Sequence, residues 1–251
     1  MSKIVDRTLD FLELFAEHKK PLSLSDISRL LRIPVSSCHD VLQALQARGY
    51  LYEIAPRAGY YPTLRLRDLA QTIAAHDPVL QRAEAALAEL RDALDESVSL
   101  ARINGLRATY LLVFEPSHLL RFLVRVGDDA RSLHATSAGK ALLGSLDAAA
   151  LENFLAGAAL PPMTERTITD KDALRRDIAE AQRRGWYLNR EESVTGATTL
   201  SARFAWNGSH YIVTVAGPAS RMEGKLDRAA VLLAECCRRL EMRAGPDAAR
   251  R

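Results

Sequence analysis

Along residues 3–52, apolar positions recur at helical spacing and then switch to alternation. Ile4, Val5, Leu9, Leu12 and Phe15 predict an amphipathic first helix with those side chains inside. In residues 21–52, PLSLSDISRLLRIPVSSCHDVLQALQARGYLY, a second stripe is formed by Leu24, Ile27, Leu30 and Leu31. Ser23 or Ser25 can cap that helix, and Asp26 suits its positive end. Arg32-Ile33-Pro34 closes it, because proline disfavours α geometry in the residue before it. Pro34 is tolerated in the opening turn of the next helix, which turns Val35, Cys38, Val41, Leu42 and Leu45 inward and stops at Gly49. Tyr50-Leu51-Tyr52 then reads as a strand, residues 55–59 as a turn, and Tyr60-Tyr61 as the return strand that Pro62 ends.

Two short helices followed by a hairpin form a winged helix-turn-helix, which points to double-stranded DNA as a partner. The outer face of the second helix carries Ser36, His39, Asp40 and Gln43, with Ser37 near its start. Short polar side chains there suit base edges and phosphates in a major groove. Ser25, on the preceding helix, is counted with this DNA-facing set. Arg57 sits at the hairpin tip, placed to reach a phosphate or a minor groove. A solvated helix face, and an arginine that only keeps a loop soluble, would show the same spacing. The hairpin directly after the helix pair favours DNA.

Beyond the wing, Leu64, Leu66, Leu69 and Ile73 predict a linker helix that His76-Asp77-Pro78 interrupts and that resumes from Val79 to about Asp95. A domain boundary is expected here, with residues 1–75 before it and 76–251 after it. From Ser97 the apolar period becomes two. Val98, Leu100 and Ile103 lead into the hairpin signal Asn104-Gly105, and strands follow at Thr109–Phe114 and Leu120–Val126. Helices are expected at Ala138–Gly144, Ala148–Leu155 and Asp170–Arg184, and strands at Trp186–Leu188, Thr199–Trp206 and Tyr211–Ala216. A last helix spans about Leu226–Met242. The whole reads as α+β: a winged helix-turn-helix, a linker helix, and a second domain with a mainly antiparallel sheet flanked by helices.

A chain of 251 residues can bury two cores. Its net charge of +3 means that DNA affinity must come from a few well-placed cations, not a basic tail. Three cysteines make no disulfide framework, and there is no membrane span or signal peptide, so a cytoplasmic protein is expected. Cys38 reads as a small core residue, and Cys236 and Cys237 as packing residues. Six scattered histidines offer no metal cluster, and no cofactor motif is evident.

Thr136-Ser137-Ala138-Gly139-Lys140 opens a helix with small residues. Thr136 can cap it, leaving the amides of Ser137 and Ala138 toward any anion. A tight cap serving only helix–sheet packing is the alternative. Ser137 and Lys140 also fit the Ser-x-x-Lys pair of penicillin-recognising hydrolases, but the companion Ser-Asp-Asn and Lys-Thr-Gly elements are absent. A phosphate loop fails because His134 replaces its first glycine and Ala141 its magnesium-binding hydroxyl. Glu191 and Glu192 would point to opposite faces of a strand, which suits a solvated run or a pocket wall better than an acid–base pair. No enzyme activity is expected.

With both halves read, the chain resembles the IclR family of bacterial transcriptional regulators over nearly its full length. The matching stretches are the winged-helix segment, LHATSAGKALLGSL, TERTITDKDAL followed by RRGWYLNREESVTGA, and IVTVAGPASR. The resemblance implies homodimers, frequently paired into tetramers, on a near-palindromic operator, and a second domain that binds a small carboxylate effector. It implies that Ser137 and Ala138 hold the carboxylate through their backbone, with Asn189, Thr199, Thr214 and Ala216 as further pocket positions. Family members typically carry an acid, a cysteine and two serines at those last four positions. The departures here point to an effector with a larger or less polar body than a small oxoacid. Asp40 also departs, standing where the family usually has arginine. Either it reads a base, or an intramolecular partner such as Arg48 holds it away.

Overall fold

The computed structural model describes residues 3–55, 58–122 and 124–242, and the chain divides into two compact units between Asp77 and Pro78. The first unit begins with α1 (Lys3–His18), α2 (Leu24–Leu31) and α3 (Val35–Ala47). Strands β1 (Leu51–Glu53) and β2 (Tyr60–Pro62) pair antiparallel, and α4 (Arg65–Ala75) follows. Its core gathers Phe11, Phe15, Leu22, Ile27, Cys38, Leu42, Leu45 and Leu51.

The buried face of α1 is only partly the expected one, with Phe15 buried and Leu12 half-buried as anticipated. Ile4, Val5 and Leu9 are more than half exposed, while Phe11, Leu14 and Phe15 are buried. The helix carries two apolar stripes, and the one bearing both phenylalanines meets the core, where Phe15 packs edge-on against Tyr61. Val35 is likewise exposed, because it occupies the first turn of α3 rather than its inner face. Gly59 is required by geometry. Its φ is +107°, and a Cβ there would lie 3.0 Å from the backbone of Leu22, which exchanges two hydrogen bonds with Tyr60.

The second unit is built on β3 (Ser97–Asn104), β4 (Arg107–Phe114), β5 (Tyr187–Arg190), β6 (Ala197–Trp206) and β7 (Ser209–Pro218). They form one antiparallel sheet in the order β4-β3-β7-β6-β5. Asn104-Gly105 and Asn207-Gly208 make the tight hairpins, with positive φ at Gly105, Asn207 and Gly208. One sheet face presents Val98, Leu100, Leu200, Val213 and Val215 to a core shared with α5 (Pro78–Leu94) and α10 (Leu226–Met242). Cys236 and Cys237 lie in that core, where burial pushes both thiols up. The other face is covered by α6 (Ser137–Leu143) and α8 (Lys171–Arg184), while α7 (Ala148–Gly157) supplies Leu155 and α9 (Ala219–Met222) precedes α10.

The strand expected at 120–126 is not formed among its described residues. Leu120 and Val126 are largely exposed, and residues 127–130 bond to β4 instead. Among the described residues no helix is long and apolar enough to cross a membrane.

Glu96, fully buried just before β3, joins the sheet to its C-terminal connection. Its carboxylate accepts two hydrogen bonds of 2.8 Å from Arg221 and lies 2.9 Å from Lys225. Burial pushes its carboxyl up, but the two cations together outweigh that and hold it below the usual range. Glu96→Ala should therefore cost about 3 kcal/mol at neutral pH, because it strands two partly buried cations. A depressed native pKa makes this contribution full above the ordinary carboxylate range and lost as pH falls through the native value. Urea denaturation at pH 7 and pH 3 should show the gap between variant and parent closing in acid.

Candidate functional site

In the first unit the DNA-facing set depends on how α3 is held. Ser23 caps α2 reciprocally: its hydroxyl accepts from the Asp26 amide at 3.1 Å, and the Asp26 carboxylate accepts from the Ser23 amide. Arg32 ends α2 in a left-handed conformation, and the Ser28 hydroxyl donates to the Ile33 carbonyl at 2.7 Å. That turn directs Cys38, Leu42 and Leu45 into the core. Ser36, His39, Asp40 and Gln43 are consequently exposed, and Ser37 is half-buried. Ser25 is exposed on α2. Arg57 lies outside the described residues.

Pro34 contributes no side-chain cap, so the first-turn amides of α3 are left for an external acceptor. Among the described residues Asp40 forms no ion pair, with Arg48 or any other cation. The expected intramolecular partner is not formed.

In the second unit the antiparallel register sets two cross-strand rows on one sheet face. Ser97, Ala216, Thr199 and Asn189 stand side by side, and Ser99, Thr214, Ser201 and Tyr187 form the next row. The first row, together with Ser99 and Thr214, floors a cavity of about 720 Å³. Ser137 and Ala138 close one side, and Tyr110, Phe122 and Val124 form another wall. All six residues expected at an effector pocket thus line one cavity.

The sequence reading missed Ser97, Ser99 and Tyr110. The two serines carried a usable signal, since they alternate with Val98 and Leu100 on a strand, but alternation alone does not say what faces them. Tyr110 is buried, and its phenol is pushed up chiefly by that burial, with the Asp128 charge adding to it.

A chain of hydroxyls runs under this floor. Ser137 Oγ lies 2.7 Å from Thr199 Oγ1 and 2.8 Å from Ser201 Oγ, and Ser201 Oγ lies 2.7 Å from Thr214 Oγ1. Three bonds among four hydroxyls use three of their four protons. The spare proton can sit on any of the four, and Ser137, Thr199 and Thr214 all line the cavity. Above it, the Thr136 hydroxyl accepts from the Gly139 amide, while the first-turn amides of Ser137 and Ala138 have no acceptor within the helix. Gly139 is needed because a Cβ there would sit 2.5 Å from the Leu133 backbone. The arrangement offers donors to an anion.

Lys140 faces the other way and is fully buried. Its ammonium lies 2.7 Å from Glu192, 2.9 Å from Asp177, and donates to the Leu188 carbonyl at 3.1 Å. Lys140 Nζ is engaged by two carboxylates and a carbonyl and makes no contact with Ser137, whose hydroxyl is already bonded to Thr199 and Ser201. The geometry speaks against Ser-x-x-Lys chemistry. Glu192 is therefore neither a solvated charge nor a cavity wall; β5 ends at Arg190, and Glu191 turns away with positive φ to meet Arg166. Burial raises the Glu192 carboxyl against the pull of Lys140. Its amide donates to Asn189 Oδ1 at 2.7 Å, which ties the lysine cluster to a cavity residue. Among the described residues there is no group of side chains suited to a metal ion.

Comparison with known proteins matches two family models: an IclR helix-turn-helix domain over residues 4–54, and the C-terminal domain of IclR bacterial transcriptional regulators over residues 71–242. The chain is 26% identical to the HTH-type transcriptional regulator XynR of Escherichia coli, over 83% of this chain and 82% of that one. It is 28% identical to the HTH-type transcriptional regulator BhcR of Paracoccus denitrificans, over 97% and 88%. Its fold matches a crystal structure of an IclR homolog complexed with 4-hydroxybenzoate from Microbacterium hydrocarbonoxydans, with a TM-score of 0.78 and 23% identity. That match covers 96% of this chain and 99% of the other.

Lys140→Met should destabilise the protein by about 3–5 kcal/mol at pH 7, since Glu192 and Asp177 lose their shared cation. Glu192 already titrates high, and without Lys140 it titrates higher still. Acidification to pH 5 should then restore part of the loss, as read by thermal denaturation; a loss independent of pH would contradict the charge origin.

Proposed function

The chain belongs to the IclR family of bacterial transcriptional regulators, and from that premise we propose that it is a cytoplasmic homodimer whose DNA affinity is set by a small organic acid. Two copies of α3 would enter successive major grooves about 34 Å apart on a near-palindromic operator. Ser36, His39, Asp40 and Gln43 meet base edges, while Ser25, Ser37, the α3 amides and Arg57 meet phosphates. Asp40, exposed and without an ion pair among the described residues, then reads a base by accepting from a cytosine amino group. Support for a dimer comes from apolar side chains left uncovered in the first unit, among them Ile4 and Leu9 on α1 and Leu69 and Ile73 on α4. Further pairing of dimers into tetramers belongs to the same reading.

The observation that carries the ligand half is the convergence of the spare hydroxyl proton and the first-turn amides on one cavity. A carboxylate seated against Ser137, Ala138, Thr199 and Thr214 meets donors that cost no rearrangement. The methyl of Ala216 and the neutral amide of Asn189 favour an aromatic or aliphatic acid over a small oxoacid. The related fold that holds 4-hydroxybenzoate supports the same class. The ligand shifts operator occupancy only if it binds the DNA-competent and DNA-free states unequally.

Titration calorimetry against a panel of organic acids tests the ligand. Benzoate-sized acids should bind, and binding confined to glyoxylate- or pyruvate-sized acids would refute the assignment. Footprinting on promoter fragments of its own and adjacent genes tests the DNA contacts. Gln43→Ala should cost about 1–3 kcal/mol and relax the preference at one base pair. Arg57→Ala should weaken all sequences alike and lower the salt slope by about one.

A further inference from the structure

We propose that the effector is an elongated dianion, a dicarboxylic acid with an apolar spacer, whose second carboxylate is received by Arg125 and Arg131 at the cavity rim. This rests on the cavity being the acid site and adds a second charged end to it.

The rim is a built feature. The Gly127 amide donates to the Tyr110 carbonyl at 2.8 Å, the Tyr110 amide to the Asp128 carbonyl at 2.9 Å, and the Ala130 amide to the Ala108 carbonyl at 2.7 Å. Asp129 is held by Arg107 and by the Thr109 hydroxyl, and those partners keep its carboxyl below the usual range, Thr109 contributing most. Residues 127–130 therefore run along β4 like an added edge strand, with Arg125 and Arg131 flanking them. Both arginines line the cavity.

Their charges are uncommitted. Nearby Arg121 is paired with Glu115 and Arg107 with Asp129, whereas Arg125 and Arg131 form no ion pair among the described residues. The only other acid at the rim, Asp128, also has no ion pair there, so two guanidinium groups face one free carboxylate and the rim is net positive. Guanidinium groups accept carboxylates through paired, charge-assisted hydrogen bonds.

The two anion-receiving regions are also separated. From residues 127–130 to β7 is three strand spacings, roughly 14 Å in backbone terms. Val113 on β4 and Ser97 and Ser99 on β3 lie across that span, and Phe122 and Val124 add apolar wall to the same cavity. The strip and β7 lie too far apart in backbone terms for one carboxylate to touch both, although Arg131 itself adjoins the α6 cap, where its carbonyl accepts from the Thr136 hydroxyl at 3.1 Å. A spacer with a carboxylate at each end matches a cavity with donors on α6 and β7, apolar side chains in its wall and cations toward the β4 edge.

The test is calorimetry on the full chain with two length-matched pairs: terephthalate and its monomethyl ester, and adipate and its monomethyl ester. The ester keeps the length and one charge while removing the other. At least one diacid should bind about tenfold more tightly than its ester, with the advantage shrinking as salt rises. In the Arg125→Gln/Arg131→Gln double variant the ratio within that pair should fall to about twofold or less, because the charge-assisted contact is gone. A thermal midpoint of the ligand-free variant close to the parent's shows that it is folded. If each ester binds as well as its diacid, or the diacid advantage survives the double variant, the proposal is overturned while the acid site stands. If no member of either pair, nor any monoacid of the wider panel, binds, then the acid site itself falls and the second charge with it.

Discussion

Antiparallel register across β3, β7, β6 and β5 places Ser97, Ala216, Thr199 and Asn189 in one row and Ser99, Thr214 and Ser201 in the next. Side chains alternate along a strand, so a slip of one residue would send every hydroxyl into the core with α5 and α10 and bring Val98, Val213, Val215 and Leu200 out beneath α6. Burial of that apolar face is what holds the register. The cavity is thus a by-product of a sheet whose other side cannot face water. The same strands explain its depth, since Ala101 and Ile212 continue the cavity face into the packed cluster under α6 and α8.

What keeps the cavity open to an anion is the way α6 is seated. Gly139 lets the helix start come up against the Leu133 backbone, and Thr136 uses its hydroxyl on Gly139, not on the amides nearer the cavity. One turn on, Lys140 is drawn under the sheet edge by Glu192 and Asp177. A buried charge of this kind adds little net stability against an apolar replacement, yet removing one member is costly. Its value here is positional. The cluster reaches Asn189 through the Glu192 amide, so the helix start and the edge strand are registered by one set of polar contacts.

The first unit solves a different problem with less material. Its core is small, and β1 and β2 contribute only three residues each, with the Leu22–Tyr60 pairing adding a further rung. Two helices meet at an angle set by Arg32 in a left-handed conformation and by proline directly before α3. The angle leaves the first two turns of α3 presenting short polar side chains and unpaired amides at the surface, which suits a groove lined by phosphates.

Much of this was legible in the sequence, and the reason is local. Helix ends marked by Ser23, Arg32-Ile33-Pro34 and Gly49, hairpins marked by Asn104-Gly105 and Asn207-Gly208, and period-two strands all follow from backbone preferences a few residues long. The family resemblance then assigned six cavity residues that spacing alone could not bring together, because Ser137, Asn189, Thr199 and Thr214 meet only through sheet register. Tertiary packing decided what was locally ambiguous. It chose Phe11 over Ile4 and Leu9 as the buried face of α1, left the described residues of 120–126 without a strand ladder, and turned Glu192 inward to a lysine far away in sequence. Each is a choice between surfaces of similar local character, and only the partner that covers one of them settles which is buried.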